Sequence, residues 1–269
     1  MTRQRLSVQQ LMPNYTLVGL LELLQGQQPA SNAMAAPAPA PAPTAAAAAM
    51  APVPGQPDPR WRELLRAARA QPGDAAAWEA FGRCFQDCTE INLRLVLYNN
   101  SIGAAGVTAL AQHAARLWPN LQSLDLSYNK IDAAGATALA QHAAQQWPNL
   151  QTLYLQGNSI GAAGAIALAQ HAAQHWPNLQ SLDLSYNKID AAGATALAQH
   201  AAQHWPNLQS LDLSQNRIGP AGATALKQHA VQHWPNLQSL DLRRTYLQSR
   251  AKATLQCWAQ LNDVSLRLV

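Results

Sequence analysis

The tripeptide Trp-Pro-Asn begins at Trp118, Trp147, Trp176, Trp205 and Trp234, each 29 residues after the last. A fixed period of that length restricts the chain to a stacked repeat, a solenoid in which each unit packs only on its neighbours. One unit reads WPNLQSLDLSYNKIDAAGATALAQHAAQQ, in which Leu121, Leu124 and Leu126 form LxxLxL ahead of Asn129 and Ile131. The alternation of Leu124, Asp125 and Leu126 predicts a short strand with leucines inward and Asp125 outward. Gly135 marks a break, after which ATALAQHAAQ predicts a helix with Ala136, Leu139 and Ala143 on one face. Pro148 ends that helix, because it lacks an N–H and disfavours helical backbone at Trp147. Each unit is therefore strand, turn, helix and return, an α/β solenoid with a parallel sheet.

The end units differ. The first lacks Trp-Pro-Asn but keeps Leu95, Leu97, Asn100, Ile102, Gly106 and Leu110 in register. In the last full unit Thr245 replaces the recurring Asn, Ala251 the Gly, and Arg243 and Arg244 replace Ser and Tyr. Leu266 and Val269 lie 29 after Leu237 and Leu240 and predict a closing partial strand. Residues 91–269 thus hold six units and a fragment. Upstream, residues 58–90 predict two helices divided by Gln71, Pro72 and Gly73, a helical cap over the first repeat. Trp61, Leu64, Leu65 and Ala68 share a face of one, and Ala77, Trp78, Phe81 and Phe85 a face of the other. Residues 31–57 are Ala/Pro-rich and predict a disordered linker, since proline denies the helix that alanine favours. Residues 1–30 predict a short amphipathic helix; Glu22 and several Gln and Asn make it a poor secretory signal.

The pattern LxxLxLxxNxI followed by a Gly-initiated helix, at 29 residues per unit, resembles the ribonuclease-inhibitor class of leucine-rich repeats. NOD-like receptors, Ran GTPase-activating protein and leucine-rich-repeat proteins of host-associated bacteria carry the same class. The resemblance implies a right-handed βα horseshoe with a concave parallel sheet and convex helices. It also implies an asparagine ladder of Asn100, Asn129, Asn158, Asn187 and Asn216, each bonding backbone at the end of its strand, with Thr245 in place of the last rung. Binding on the concave face is the family's habit, but inhibitors, receptors and scaffolds share the fold, so it does not fix a function.

On that face the outward residues form a column of Val96, Asp125, Tyr154, Asp183, Asp212 and Asp241, with rungs ~4.8 Å apart. Carboxylates at that spacing repel one another, so flanking Lys130, Lys188 and Arg217, or a basic partner, must compensate. Beside it run Tyr98, Ser127, Gln156, Ser185, Ser214 and Arg243, then Asn99, Tyr128, Gly157, Tyr186, Gln215 and Arg244. Exposed tyrosines flanked by charge suit a protein contact. The expected partner site is therefore Asp125, Tyr128, Tyr154, Asp183, Tyr186, Asp212, Asp241, Arg243 and Arg244, receiving a basic or host protein on a monomer.

Other chemistry is poorly supplied. A net charge of +4, with the cations spread along the chain, argues against nucleic acid. No phosphate loop, nucleophile elbow or Ser, His and Asp arrangement occurs, so no enzyme is expected. His171 and His175, His200 and His204, and His229 and His233 are paired one turn apart, but Ala172, Ala201 and Ala230 stand where a zinc protease needs Glu. Solvated histidines are expected, with metal binding as the alternative and no cofactor. The tryptophan ladder is expected to pack against small helix residues. Three cysteines without a repeated spacing imply a reducing, cytoplasmic setting, or delivery into a host cell if the chain is an effector. No run reaches the ~20 apolar residues of a membrane span. The rival function, GTPase activation of the Ran-activating type, would have to rely on Arg243 and Arg244.

Overall fold

The computed structural model describes residue 58 and residues 60–85, 93–97 and 99–268. The N-terminal segment, the Ala/Pro linker, Cys88 and Tyr98 lie outside the described residues. Two helices come first, α1 (Trp61–Ala70) and α2 (Ala75–Arg83). Asp74 starts α2 because its carboxylate accepts from the N–H groups of Ala76 and Ala77. Their apolar faces meet in an aromatic cluster. Phe81 stands edge-on to Trp78, Phe85 and Trp118 at centroid distances of 6.1, 5.5 and 5.9 Å.

Strands and helices then alternate. The strands are β1 (Leu93–Val96), β2 (Leu121–Asp125), β3 (Thr152–Tyr154), β4 (Ser181–Asp183), β5 (Ser210–Asp212), β6 (Ser239–Asp241) and β7 (Ser265–Arg267). Among the described residues they form one parallel sheet in chain order. The helices between them are α3 (Gly103–Ala109), α4 (Ala133–Ala138), α5 (Gly161–Ala167), α6 (Ala191–Ala196), α7 (Gly219–His233) and α8 (Ser249–Leu261). Leu124, Leu153, Leu182, Leu211 and Leu240 pair in register from β2 to β6. Leu121, Leu124, Leu126, Ile131 and Leu139 are all buried, as are their counterparts in the next two units, and they form one continuous core.

Three expectations are corrected. The helix of the second unit begins at Ala133, capped by Asp132, whose Oδ1 accepts from Gly135 N–H at 3.0 Å. Gly135 therefore sits inside the helix. Neighbouring units approach so closely there that a Cβ would meet Ile131 Cγ2 at 2.9 Å and the Ala104 Cα at 3.2 Å. Second, the helices of the first four units do not continue as α-helix. Leu110–Ala114, Leu139–Ala143, Leu168–Ala172 and Leu197–Ala201 widen into π-turns, each followed by a tight 3₁₀ turn. By contrast α7, with Lys227 and Val231 where the previous unit has Ala198 and Ala202, runs as unbroken α-helix, as does α8.

The third correction concerns the closing strand. Leu266 pairs with Leu240, not Leu237, an offset of 266 − 240 = 26 instead of 29. No Trp-Pro-Asn return follows α8. Asn262 and Asp263, the latter at φ 54°, lead directly into β7. The strand thus arrives early, and Leu268 becomes the buried residue of the final unit.

Candidate functional site

Because strand residues alternate faces, burying Leu124 and Leu126 leaves Ser123 and Asp125 on the face away from the helices. Asp125, Tyr154, Asp183 and Asp212 are all half-buried on adjacent rungs. Beside them stands a second column, Ser123, Thr152, Ser181, Ser210 and Ser239, equally half-buried. Thr152 donates to Ser123 Oγ at 2.6 Å. This hydroxyl column follows from the Ser-Leu-Asp alternation, since Ser and Asp share a parity.

The carboxylates are anchored. Asp125, Asp183 and Asp212 each accept through Oδ1 from the backbone N–H two residues on, at 2.9, 2.8 and 2.8 Å. The same fold-back buries Ser127, Ser185 and Ser214, which are therefore not contact residues. Burial pushes the Asp183 carboxyl up to about 6, and the Asp212 and Asp125 carboxylates raise it further against the bonds from Ser185. Asp241 departs from its column. It is buried and clamped by Arg243, whose Nε reaches both carboxylate oxygens at 3.0 and 2.9 Å, with Arg267 Nη1 3.9 Å away.

At the end of the strands the chain turns around the buried asparagines. Asn158 Oδ1 accepts from Asn129 and Ile131 N–H at 3.0 and 2.9 Å, while its Nδ2 donates to Leu126 and Leu155 carbonyls. Asn129, Asn187 and Asn216 bond in the same manner. These side chains satisfy backbone groups that water cannot reach, a structural role. Thr245, also buried, donates to its own unit's Leu242 carbonyl.

Each buried rung is flanked by residues that its turn pushes outward. Tyr128 and Tyr186, at φ 57° and 56°, are 38% and 47% exposed. The ring of Tyr128 lies over Gly157, where a Cβ would come within 2.4 Å of it. Arg244 takes the same position in the last turn. Tyr246, at 75% exposure, was not among the expected contacts; its column mates are Lys188 and Arg217, and repeat alignment alone identifies it. The expected residues thus fall into neighbouring groups, Asp125, Tyr154, Asp183 and Asp212 on the sheet, Tyr128, Tyr186 and Arg244 on the rim, and Asp241 paired with Arg243 at β6.

The remaining candidates resolve by burial. Trp118, Trp147, Trp176, Trp205 and Trp234 are buried, which leaves no exposed stacking platform. The imidazoles of His229 and His233 stack at 6.2 Å. Among the described residues no three His, Cys, Asp or Glu side chains gather as a metal site would require. Cys84 is buried, and Cys257 is a free, exposed thiol. No helix of the described residues is long and apolar enough to cross a membrane.

Comparison with known proteins agrees on the repeats. The family described as "Leucine rich repeat" matches residues 148–218, and a second leucine-rich-repeat family matches residues 119–140. Fold and matches together define an α/β solenoid of leucine-rich repeats. Among solved structures the chain is similar to a tropomodulin C-terminal domain from Caenorhabditis elegans, at 12% identity and a TM-score of 0.42, over 70% of this chain and 93% of that one. It is also similar to "Leiomodin-1 Actin-Binding Site 2", at 14% identity and a TM-score of 0.40, over 75% of this chain and 88% of that one. No curated protein matches the chain.

Proposed function

We propose that this chain is a non-enzymatic, monomeric protein-binding module of the ribonuclease-inhibitor type, whose concave sheet face receives a basic partner. The observation that carries this reading is the row of Asp125, Asp183 and Asp212, held by backbone N–H groups and left half-exposed beside a hydroxyl column. Anchored carboxylates lose little freedom on binding, and a partner's Lys or Arg would relieve their mutual repulsion. Tyr128 and Tyr186 at the rim add aromatic area at low entropic cost. A cytoplasmic setting suits the free, exposed thiol of Cys257. Delivery into a host cell as an effector is the bacterial form of the same reading. GTPase activation has no comparable support, because Arg243 is held by Asp241.

The test is capture. Proteins retained by the immobilised chain from lysate should be lost when Asp183→Lys and Asp212→Lys are combined, and identical retention refutes the concave-face reading. Capture should also weaken as pH falls through about 6, where Asp183 takes up a proton.

A further inference from the structure

We propose that the rim cleft between Lys188, Arg217 and Arg244 is a binding site for a phosphate monoester dianion. The inference does not depend on what binds the sheet face. Three consecutive turns build the cleft, with Lys188, Gln215, Asn216, Arg217, Arg244 and Tyr246 lining a volume of about 460 Å³. Backbone φ is positive at Lys188, Gln215, Arg244 and Tyr246, so these side chains stand clear of the buried rungs Asn187, Asn216 and Thr245. One rung separates neighbouring turns, ~4.8 Å, so cations from three consecutive turns line one cleft.

What distinguishes this cluster from an ordinary solvated surface is the missing counter-charge. Among the described residues none of Lys188, Arg217 and Arg244 forms an ion pair. Lys188 Nζ donates instead to Ser159 Oγ at 3.2 Å. With the Gln215 amide oxygen turned toward it, Arg244 donates to that oxygen from Nε at 3.2 Å and Nη1 at 3.0 Å. Both partners are neutral. Asp190, bridged to Arg217 through the backbone, directs its Oδ1 to the N–H groups of Ala192 and Gly193 at the start of α6. The adjacent Arg243 shows the alternative outcome, since its charge is answered by Asp241.

Three unanswered cations around a neutral amide and an aromatic wall match a compact, doubly charged oxyanion, which accepts several charge-assisted hydrogen bonds at once. A polyanion fits poorly. Asp183 and Asp212 lie a few residues away on the sheet face and would repel an extended phosphate backbone. The dianion is carried either by a phosphorylated residue of a polypeptide or by a small phosphate ester.

The experiment titrates the full chain with inorganic phosphate, a short neutral peptide containing phosphoserine, and the same peptide with unmodified serine, read by calorimetry at constant ionic strength. Both phosphate-bearing probes should bind saturably and the serine peptide should not. A tighter phosphopeptide assigns the dianion to a polypeptide partner, and equal affinity assigns it to a free ester. Arg244→Gln and Lys188→Gln, both on exposed side chains, should each weaken binding by about tenfold, while Arg250→Gln on α8 removes equal charge without effect. Absence of saturable binding, equal binding of the serine peptide, or equal loss with Arg250→Gln overturns the proposal.

Discussion

At the start of the solenoid, Phe81 and Phe85 stand edge-on to Trp118, backed by Trp78 and Trp61, and the Trp118 indole N–H donates to the Gly82 carbonyl at 2.9 Å; at its last described strand, the core meets a shortened unit, a Thr in place of Asn and a clamped Asp241. A solenoid's outermost units must keep water from the spine. The first does so with buried apolar area, Trp78 and Phe81 being fully buried. At the second, β7 comes in early and Asp241 is clamped by Arg243. Apolar closure is strong and chemically silent. Polar closure is weaker, and it leaves Arg244 and Tyr246 standing at a rim where chemistry is available.

That contrast can be broken at its strongest point first. Phe81→Ala should cost about 3–5 kcal/mol, as truncation of a buried aromatic does, read as a lowered denaturant midpoint. A cost below about 1 kcal/mol would mean that the aromatic cluster does not seal the first repeat. Next, an interior rung should matter more than the last one. Asn187→Ala strands the Ile160 N–H and takes from the Leu155 carbonyl one of its two side-chain donors, at about 2–3 kcal/mol, whereas Thr245→Ala removes one internal bond, at about 1 kcal/mol. Equal costs would show that Thr245 is a full rung after all.

Between the ends, Asp183 offers a charge to test. Its folded carboxyl titrates at about 6, above the ordinary aspartate value of 3.8, so the native state holds more protons than the unfolded chain between those pH values. Stability contributed by this residue therefore falls as pH rises from about 4 to 6, and Asp183→Asn should stabilise the protein by about 1–2 kcal/mol at pH 7 and by nothing at pH 3. Smallest is Arg243→Gln. Arg243 is half-exposed, so solvent screens the clamp and the expected loss is about 1 kcal/mol, diminishing in high salt.

Periodicity made the interior readable. Leu124, Asn129 and Ile131 recur with their neighbours, and burial of one predicts burial of all. What escaped notice lay where geometry depends on the contact between units. Gly135 looks like a helix breaker in sequence, yet it is the point where α4 touches Ala104, a fact set by spacing between units and not by propensity. The π-turns arise in Leu-Ala-Gln-His-Ala segments that any helix scale rates as ordinary α-helix. Register at β7 depended on a return of different length, which extrapolating the 29-residue period could not reveal. Of the candidate site, the Asp column followed from strand parity. The burial of Ser127, Ser185 and Ser214 did not, because it depends on the carboxylates folding back onto the next turn.

The left-handed turns have one more consequence. Tyr128, Gly157, Tyr186, Gln215 and Arg244 occupy equivalent posts, the first four beside a buried asparagine and Arg244 beside the buried Thr245. Identity at such a post can be exchanged without disturbing the spine beneath it, apart from the preference of that backbone for glycine or asparagine. The rim therefore behaves as a row of interchangeable characters on a fixed line, and specificity can be rewritten one letter at a time.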